Sequence, residues 1–413
     1  MEQKSTKASL WFILVTVFLD AVGIGLVFPI LPALLSEFIP DGTASTQIYG
    51  LFLSVYALMQ FIASPMLGAL SDRFGRRPIL LASLIGAGID YIVMALAPNL
   101  WILFIGRVVS GLTGASMTVA SAYVSDTSVD SNRAGRFGLI NAAFGVGFIV
   151  GPALGGYLGE ISPRAPFFAA AFMNLANFGF GALVLRESLP LALRRAVAFK
   201  NLNPFRSLRW AFSTPAIKWP VFVLFFLFLA GHVPGTIWAI YMKDRFGWDL
   251  KLIGLSFSAY GLALAIAQGG LTQPIVKFLG NTRAVLMLTS LEVLCYFALG
   301  SANQSWMIFA LLIPMCIASI SGPTLQSQVT AVVAPDMQGE LQGTIIGVMS
   351  LTAIITPLVA TQLHAYFNSP AALAAYGMPG ASFFLGGLLC LVAVITYKIK
   401  LRNLPQVVSA QPS

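Results

Sequence analysis

Long apolar runs alternate with short polar segments along the whole chain, and their spacing predicts twelve helices: 9–35, 47–71, 77–97, 99–125, 135–160, 164–186, 217–242, 251–276, 282–300, 304–330, 338–366 and 376–399. Most are close to the ~20 apolar residues that a helix needs to cross the hydrocarbon core of a bilayer. The polar segments between them are short, and their basic residues are unevenly shared. With both termini on the cytoplasmic side, all but five of the 24 Lys and Arg residues fall on that side. Arg164, Lys243, Arg245 and Lys251 lie on the outer side, and Arg107 lies within a helix. Such a bias sets the orientation of a multi-pass chain. The start, Met1 to Ser9, is short and polar before a long apolar run. No cleavable signal peptide is expected, and the first helix should stay in the membrane.

The longest polar segment divides the twelve helices into two sets of six. The predicted organisation is a bundle over 1–186, a cytoplasmic linker over 187–216 that carries Arg194, Arg195, Lys200, Arg206 and Arg209, and a second bundle over 217–413. The linker reads as a solvated, lipid-facing segment with amphipathic turns. A shift of 205 residues superposes Pro29 on Pro234, Gly75 on Gly280, Gly138 on Gly343 and Pro152 on Pro357. One offset that holds from the first helix to the fifth is the mark of two homologous halves. The fold class is therefore an all-α membrane protein with two pseudo-symmetric six-helix bundles.

Composition agrees with this pattern. Of 413 residues, 57% are hydrophobic and 9% are charged, against about 25% charged in a soluble domain. The net charge of +9 is accounted for by orientation, so no nucleic-acid partner is expected. Cys295, Cys316 and Cys390 all lie in apolar helices with neither disulfide nor metal spacing. His232 and His364 are far apart in sequence, and no nucleophile–base pair is legible, so the chain does not read as an enzyme.

Four ionisable residues sit at spanning depth: Asp20, Asp90, Arg107 and Glu292. Each costs roughly 2.5–3.5 kcal/mol on insertion scales, which makes it a candidate for function. Asp20 could pair with Arg107. The alternative is a polar cavity between the two halves, with Gln60, Asn141, Gln326 and Gln328 as further lining. Desolvation favours the neutral form of a carboxyl group, so an unpaired acid here is a candidate proton carrier or cation site. The series Gly145, Gly147, Gly151, Gly155 and Gly156 with Pro152 allows close backbone approach and bending in the fifth helix.

The stretch Gly68-Ala-Leu-Ser-Asp-Arg-Phe-Gly-Arg-Arg-Pro78 reads as a tight basic loop between the second and third helices. It resembles the corresponding loop of the major facilitator superfamily. The likeness extends through Tyr56-Ala-Leu-Met-Gln60, Ser83-Leu-Ile-Gly-Ala87 with Asp90-Tyr91, Gly106-Arg-Val-Val-Ser-Gly111, Gly159-Glu-Ile-Ser-Pro163, Pro166-Phe-Phe168 and Asp244-Arg-Phe-Gly-Trp248. With these motifs the chain resembles bacterial tetracycline efflux proteins over nearly its whole length.

That resemblance implies a proton-coupled antiporter in the bacterial cytoplasmic (inner) membrane, working as a monomer by alternating access. It would export tetracycline as a complex with Mg2+ or a similar divalent ion, and confer drug resistance. No cofactor would be bound permanently, and the metal would arrive with the substrate. The partners would be the drug, protons and the lipid bilayer. Asp20, Gln60, Asp90 and Arg107, with Asn141 and Gln326, would line the substrate pathway. Asp20, Asp90 and Glu292 would couple protons. Ser71, Asp72 and Arg76 would form a cytoplasmic gate paired with Asp126, and Asp72 could hold the loop against the N-terminus of helix 11. Two departures from the family pattern stand out. The eighth helix lacks the family's histidine, with Leu264 near its place, and Glu292 replaces an aspartate. The alternatives are a same-fold exporter of another amphipathic drug or a metabolite, and a passive facilitator.

Overall fold

A computed structural model describes residues 2–114, 116–128, 130–194, 206–334 and 337–401. Residues 195–205 of the predicted linker, among them Arg195 and Lys200, and the tail after Leu401 lie outside the described residues. Among the described residues there is no strand. Among the same residues, twelve helical spans are long and apolar enough to cross a membrane: α1 (Ala8–Phe38), α2 (Gly42–Phe74), α3 (Arg76–Leu96), α4 (Leu100–Thr127), α5 (Gly135–Gly159), α6 (Ala165–Val184), α7 (Ile217–Phe246), α8 (Leu250–Leu279), α9 (Asn281–Ser301), α10 (Ser305–Val332), α11 (Gln338–Phe367) and α12 (Ala381–Lys400). The protein is a multi-pass membrane protein.

Contacts divide the chain into two compact units. The first comprises Met1–Asn203 with Gly247–Gly261, and the second Pro204–Phe246 with Leu262–Ser413. In the first unit the glycines of α5 do what small residues do in membrane helices: they let backbones touch. Gly147 faces the Phe18 carbonyl, Gly151 the Val22 carbonyl and Gly155 the backbone of Leu26, so α5 lies directly on α1. Gly156 faces the Leu250 carbonyl, Gly254 faces the Pro152 carbonyl, and the Ser258 hydroxyl donates to the Ile149 carbonyl. These contacts tie the first half of α8 to this unit.

Three features depart from the pattern read in the sequence. The stretch from Gly68 to Pro78 is not a loop. Helix α2 continues through Phe74, α3 starts at Arg76, and Gly75 alone joins them at φ 106 and ψ 158. Gly280 joins α8 to α9 in the same way, at φ 75 and ψ 153. A side chain rarely adopts positive φ, which explains why the internal repeat keeps glycine at both places. Helix α4 is broken at Gly114 and resumes at Ser116, and α10 is interrupted between Ala318 and Ser321, where continuous helices were predicted. Last, α12 begins at Ala381 and not at 376. A separate short helix, Pro370–Tyr376, precedes it and ends on Gly377 in the left-handed region.

Candidate functional site

The intramembrane charges of the first unit meet in one cluster. Arg107 Nη2 donates to Asp90 Oδ2 at 3.3 Å, and both side chains are almost completely buried. The sequence offered Asp20 as one partner for Arg107, and the structure supplies Asp90 instead. The observed one follows from helix geometry, because α3 and α4 are antiparallel and joined by a turn of three residues. Asp90 lies six residues before the end of α3 and Arg107 seven after the start of α4, so at ~1.5 Å per residue they sit level with each other. Gly106 makes room for the pair, since a Cβ there would stand 2.9 Å from Asp90 Oδ1. The Arg107 guanidinium also lies over the Tyr56 ring, 5.5 Å from its centroid.

The pair is incompletely satisfied. Asp90 Oδ1 and Arg107 Nε are buried without a hydrogen-bond partner among the described residues. A buried donor or acceptor left unmade is costly, and at a site that must take a polar ligand it is a point of attachment. Ser110 lies near Asp90, and Ser116, just past the break in α4, near Asp20. Gln60 Nε2 donates at 2.8 Å to the Gly114 carbonyl, which the break has released from the helix, and approaches the Tyr56 hydroxyl at 3.5 Å. Tyr56 stands among Asp20, Asp90 and Arg107, close enough for each to act on it. Helices α1 to α4 thus bring Asp20, Gln60, Asp90 and Arg107 together. Asn141 is exposed on α5, and no hydrogen bond joins it to the cluster among the described residues. Gln326 is half-buried on α10 in the second unit, where its backbone carbonyl accepts from Thr330.

In the second unit Glu292 on α9 accepts from the Ser321 hydroxyl at 3.3 Å, beside the break in α10. It has no cationic partner among the described residues. Gln328, a candidate lining residue, instead accepts from the Tyr397 hydroxyl at 2.8 Å. One turn from Glu292, the Tyr296 hydroxyl donates at 2.6 Å to the carbonyl of Ala230 in α7. Pro234 lies four residues further on and has no N–H, so it deprives Ala230 of its helical donor. Thr356 of α11 donates to the next carbonyl back, that of Leu229, at 3.2 Å. Side chains from two neighbours thus meet the α7 carbonyls that precede Pro234. Tyr296→Phe keeps the ring packed on Gly386 and leaves a buried carbonyl unmade, at a cost of about 1–3 kcal/mol. In a Pro234→Ala background the helix supplies its own donor. Thermal unfolding of the purified variants should then show a much smaller effect of Tyr296→Phe.

At the junction of α2 and α3, Arg76 is the hub. Its Nη1 donates to Ser71 Oγ at 2.6 Å and pairs with Asp72 Oδ1 at 2.6 Å, while its Nε donates to Asp126 Oδ2 at 3.0 Å. Ser188 also donates to Asp126 Oδ2, at 3.2 Å. The part played by Glu187 was not foreseen. Its carboxylate accepts from the backbone N–H groups of Arg76 at 2.8 Å and Arg77 at 3.2 Å, and lies 4.0 Å from Arg194. An anion there satisfies the orphan donors and the positive dipole end of α3. The signal was available, because Glu187 is the only acid between Glu160 and Asp244 and lies three residues beyond the end of α6.

Two pseudo-repeated six-helix sets, intramembrane charges gathered in a polar cluster and a charged hub at a one-residue helix junction define a membrane transporter. The chain matches the Major Facilitator Superfamily model over residues 13–233 and again over 222–410, and it belongs to that family, one of transporters and not of enzymes. It is 45% identical over 362 residues to "Tetracycline resistance protein, class C" from Escherichia coli, covering 88% of this chain and 91% of that one. It is 40% identical over 366 residues to the class G protein from Vibrio anguillarum, covering 87% and 91%. The fold is similar to the crystal structure of a D-xylose–proton symporter, with a TM-score of 0.76 at 16% identity over 95% of this chain and 97% of that one.

Proposed function

We propose that this protein exports tetracycline, as a complex with Mg2+ or a similar divalent ion, across the bacterial inner membrane in exchange for protons. The observation that carries the reading is the polar cluster of α1–α4. In a chain so similar to tetracycline resistance proteins, a partly unsatisfied Asp90–Arg107 pair stands beside Asp20, Tyr56 and Gln60. The open acceptor on Asp90 and donor on Arg107 suit a ligand that carries both hydroxyl and carbonyl oxygens. Asp20, which has no cationic partner of its own among the described residues, supplies negative charge towards the metal complex. Glu292 exchanges the proton from the second unit. The Arg76 hub, on the side that the charge bias makes cytoplasmic, is the gate that loosens when the two units alternate access.

Expression in a drug-sensitive bacterium without its own efflux pumps is the first check. The protein should raise the tolerated tetracycline concentration. An increase for another amphipathic drug and none for tetracycline would transfer the substrate to that drug. Two variants separate the roles of the acids. Asp20→Asn removes no ion pair, so its unfolding temperature should stay near wild type while export is lost. Glu292→Gln should keep drug exchange at equal concentrations on both sides and lose accumulation driven by a proton gradient. Equal loss of both activities would make Glu292 a substrate residue.

A further inference from the structure

We propose that the end of the second unit where α7 begins and α12 ends is a seat for the headgroup of an anionic phospholipid. Three observations lead there. First, two ammonium groups from distant parts of the chain lie over one indole ring. Lys218 Nζ is 5.7 Å and Lys400 Nζ 5.1 Å from the centroid of Trp219. Both lysines are exposed, and neither has a carboxylate partner among the described residues.

Second, the stretches that carry these lysines bring no acid of their own. The sequence contains no Asp or Glu from 188 to 243, and none after Glu340. Glu340 itself accepts from the Ser207 hydroxyl. Third, a short helix, Arg206–Ser213, lies against α7 and α11 beside this end. Leu208 and Ala211 are buried, and Leu208 packs on Gly347. Its other side leaves Arg209 and Phe212 exposed, and near the end of α12 Lys398 and Ile399 are exposed too.

Charge complementarity selects the occupant. Cations, an aromatic belt residue and exposed apolar side chains at the end of membrane helices match an anionic headgroup with its acyl chains alongside. A soluble anion would use the charges but leave Phe212 and Ile399 without a role. An aromatic ring under two ammonium groups holds them in place, so less ordering remains to be done when the phosphate binds. The first unit offers an internal control. Lys251 also lies over an aromatic ring, 6.0 Å from the centroid of Tyr157, but as a single cation.

Native mass spectrometry of the intact, purified transporter, incubated with equal amounts of phosphatidylglycerol and phosphatidylcholine, tests the seat. Wild type should retain phosphatidylglycerol about tenfold over phosphatidylcholine. Lys218→Gln with Lys400→Gln should lose nearly all of that preference. Lys218→Arg with Lys400→Arg should keep it, which guards against misfolding as the cause, and Lys251→Gln should leave it unchanged. No preference in wild type, or an equal loss in Lys251→Gln, would overturn the proposal. Release of phosphatidylglycerol by inorganic phosphate alone would also overturn it, in favour of a soluble anion.

Discussion

Arg107→Ala is expected to abolish export and to destabilise the protein by about 3–5 kcal/mol, because it strands Asp90 as an uncompensated charge in a buried site. Asp90 and Arg107 sit on adjacent helices with almost no solvent exposure, so neither relaxation nor water can repair the loss cheaply. A structural ion pair and a binding pair would both give this result. The double replacement Asp90→Leu with Arg107→Met separates them, since substituting a buried pair with apolar residues is often neutral or stabilising. Its unfolding temperature should return towards wild type while export stays at background. A double variant that exports at the wild-type rate would show that the pair serves only stability.

The second large effect is expected at Arg76. One guanidinium there serves Ser71, Asp72 and Asp126 at once, and a fork of planar donors is what such a task needs. The bonds to Ser71 and Asp126 are the better shielded and carry most of the effect, at about 1.5–3 kcal/mol for each hydrogen bond to a charged group. Asp72 is half exposed and contributes little by itself. Arg76→Ala should therefore lower stability and stop export. Arg76→Lys keeps the charge, and stability should recover in part, but one ammonium cannot make all three contacts and export should remain well below wild type. A lysine variant with the wild-type transport rate would remove Arg76 from the gate. Initial rates in membrane vesicles, set beside unfolding temperatures of the purified variants, decide the question.

Much of this architecture was legible in the chain. Apolar run length located the spans, and the 205-residue offset joined Gly75 to Gly280, which turn out to share a positive φ at equivalent helix junctions. The residues of the cluster were visible as charges placed where charges are expensive. Their pairing was less visible, because hydrophobicity says nothing about which face of a helix meets which neighbour. For Arg107 the answer was present in the short turn between α3 and α4, which sets Asp90 and not Asp20 at its level. Tyr56, Glu187 and Tyr296 were obscured for another reason. Each acts through contact with a distant backbone or side chain: Tyr56 under Arg107, Glu187 on the N-terminus of α3, Tyr296 on a carbonyl released by Pro234. A proline in one helix implies an orphan carbonyl, but only the fold shows which hydroxyl answers it. Three of the boundaries that shifted did so at glycines. Gly75 shortened a loop to one residue, Gly114 broke α4, and Gly377 delayed α12.

Uptake of tetracycline into inverted membrane vesicles tests metal-dependent exchange of drug for protons. Vesicles energised to be acid inside should accumulate the drug only when Mg2+ is present, and a protonophore should abolish accumulation. Accumulation that survives the protonophore, or an absence of tetracycline uptake in vesicles that do concentrate another compound through this protein, would contradict the account.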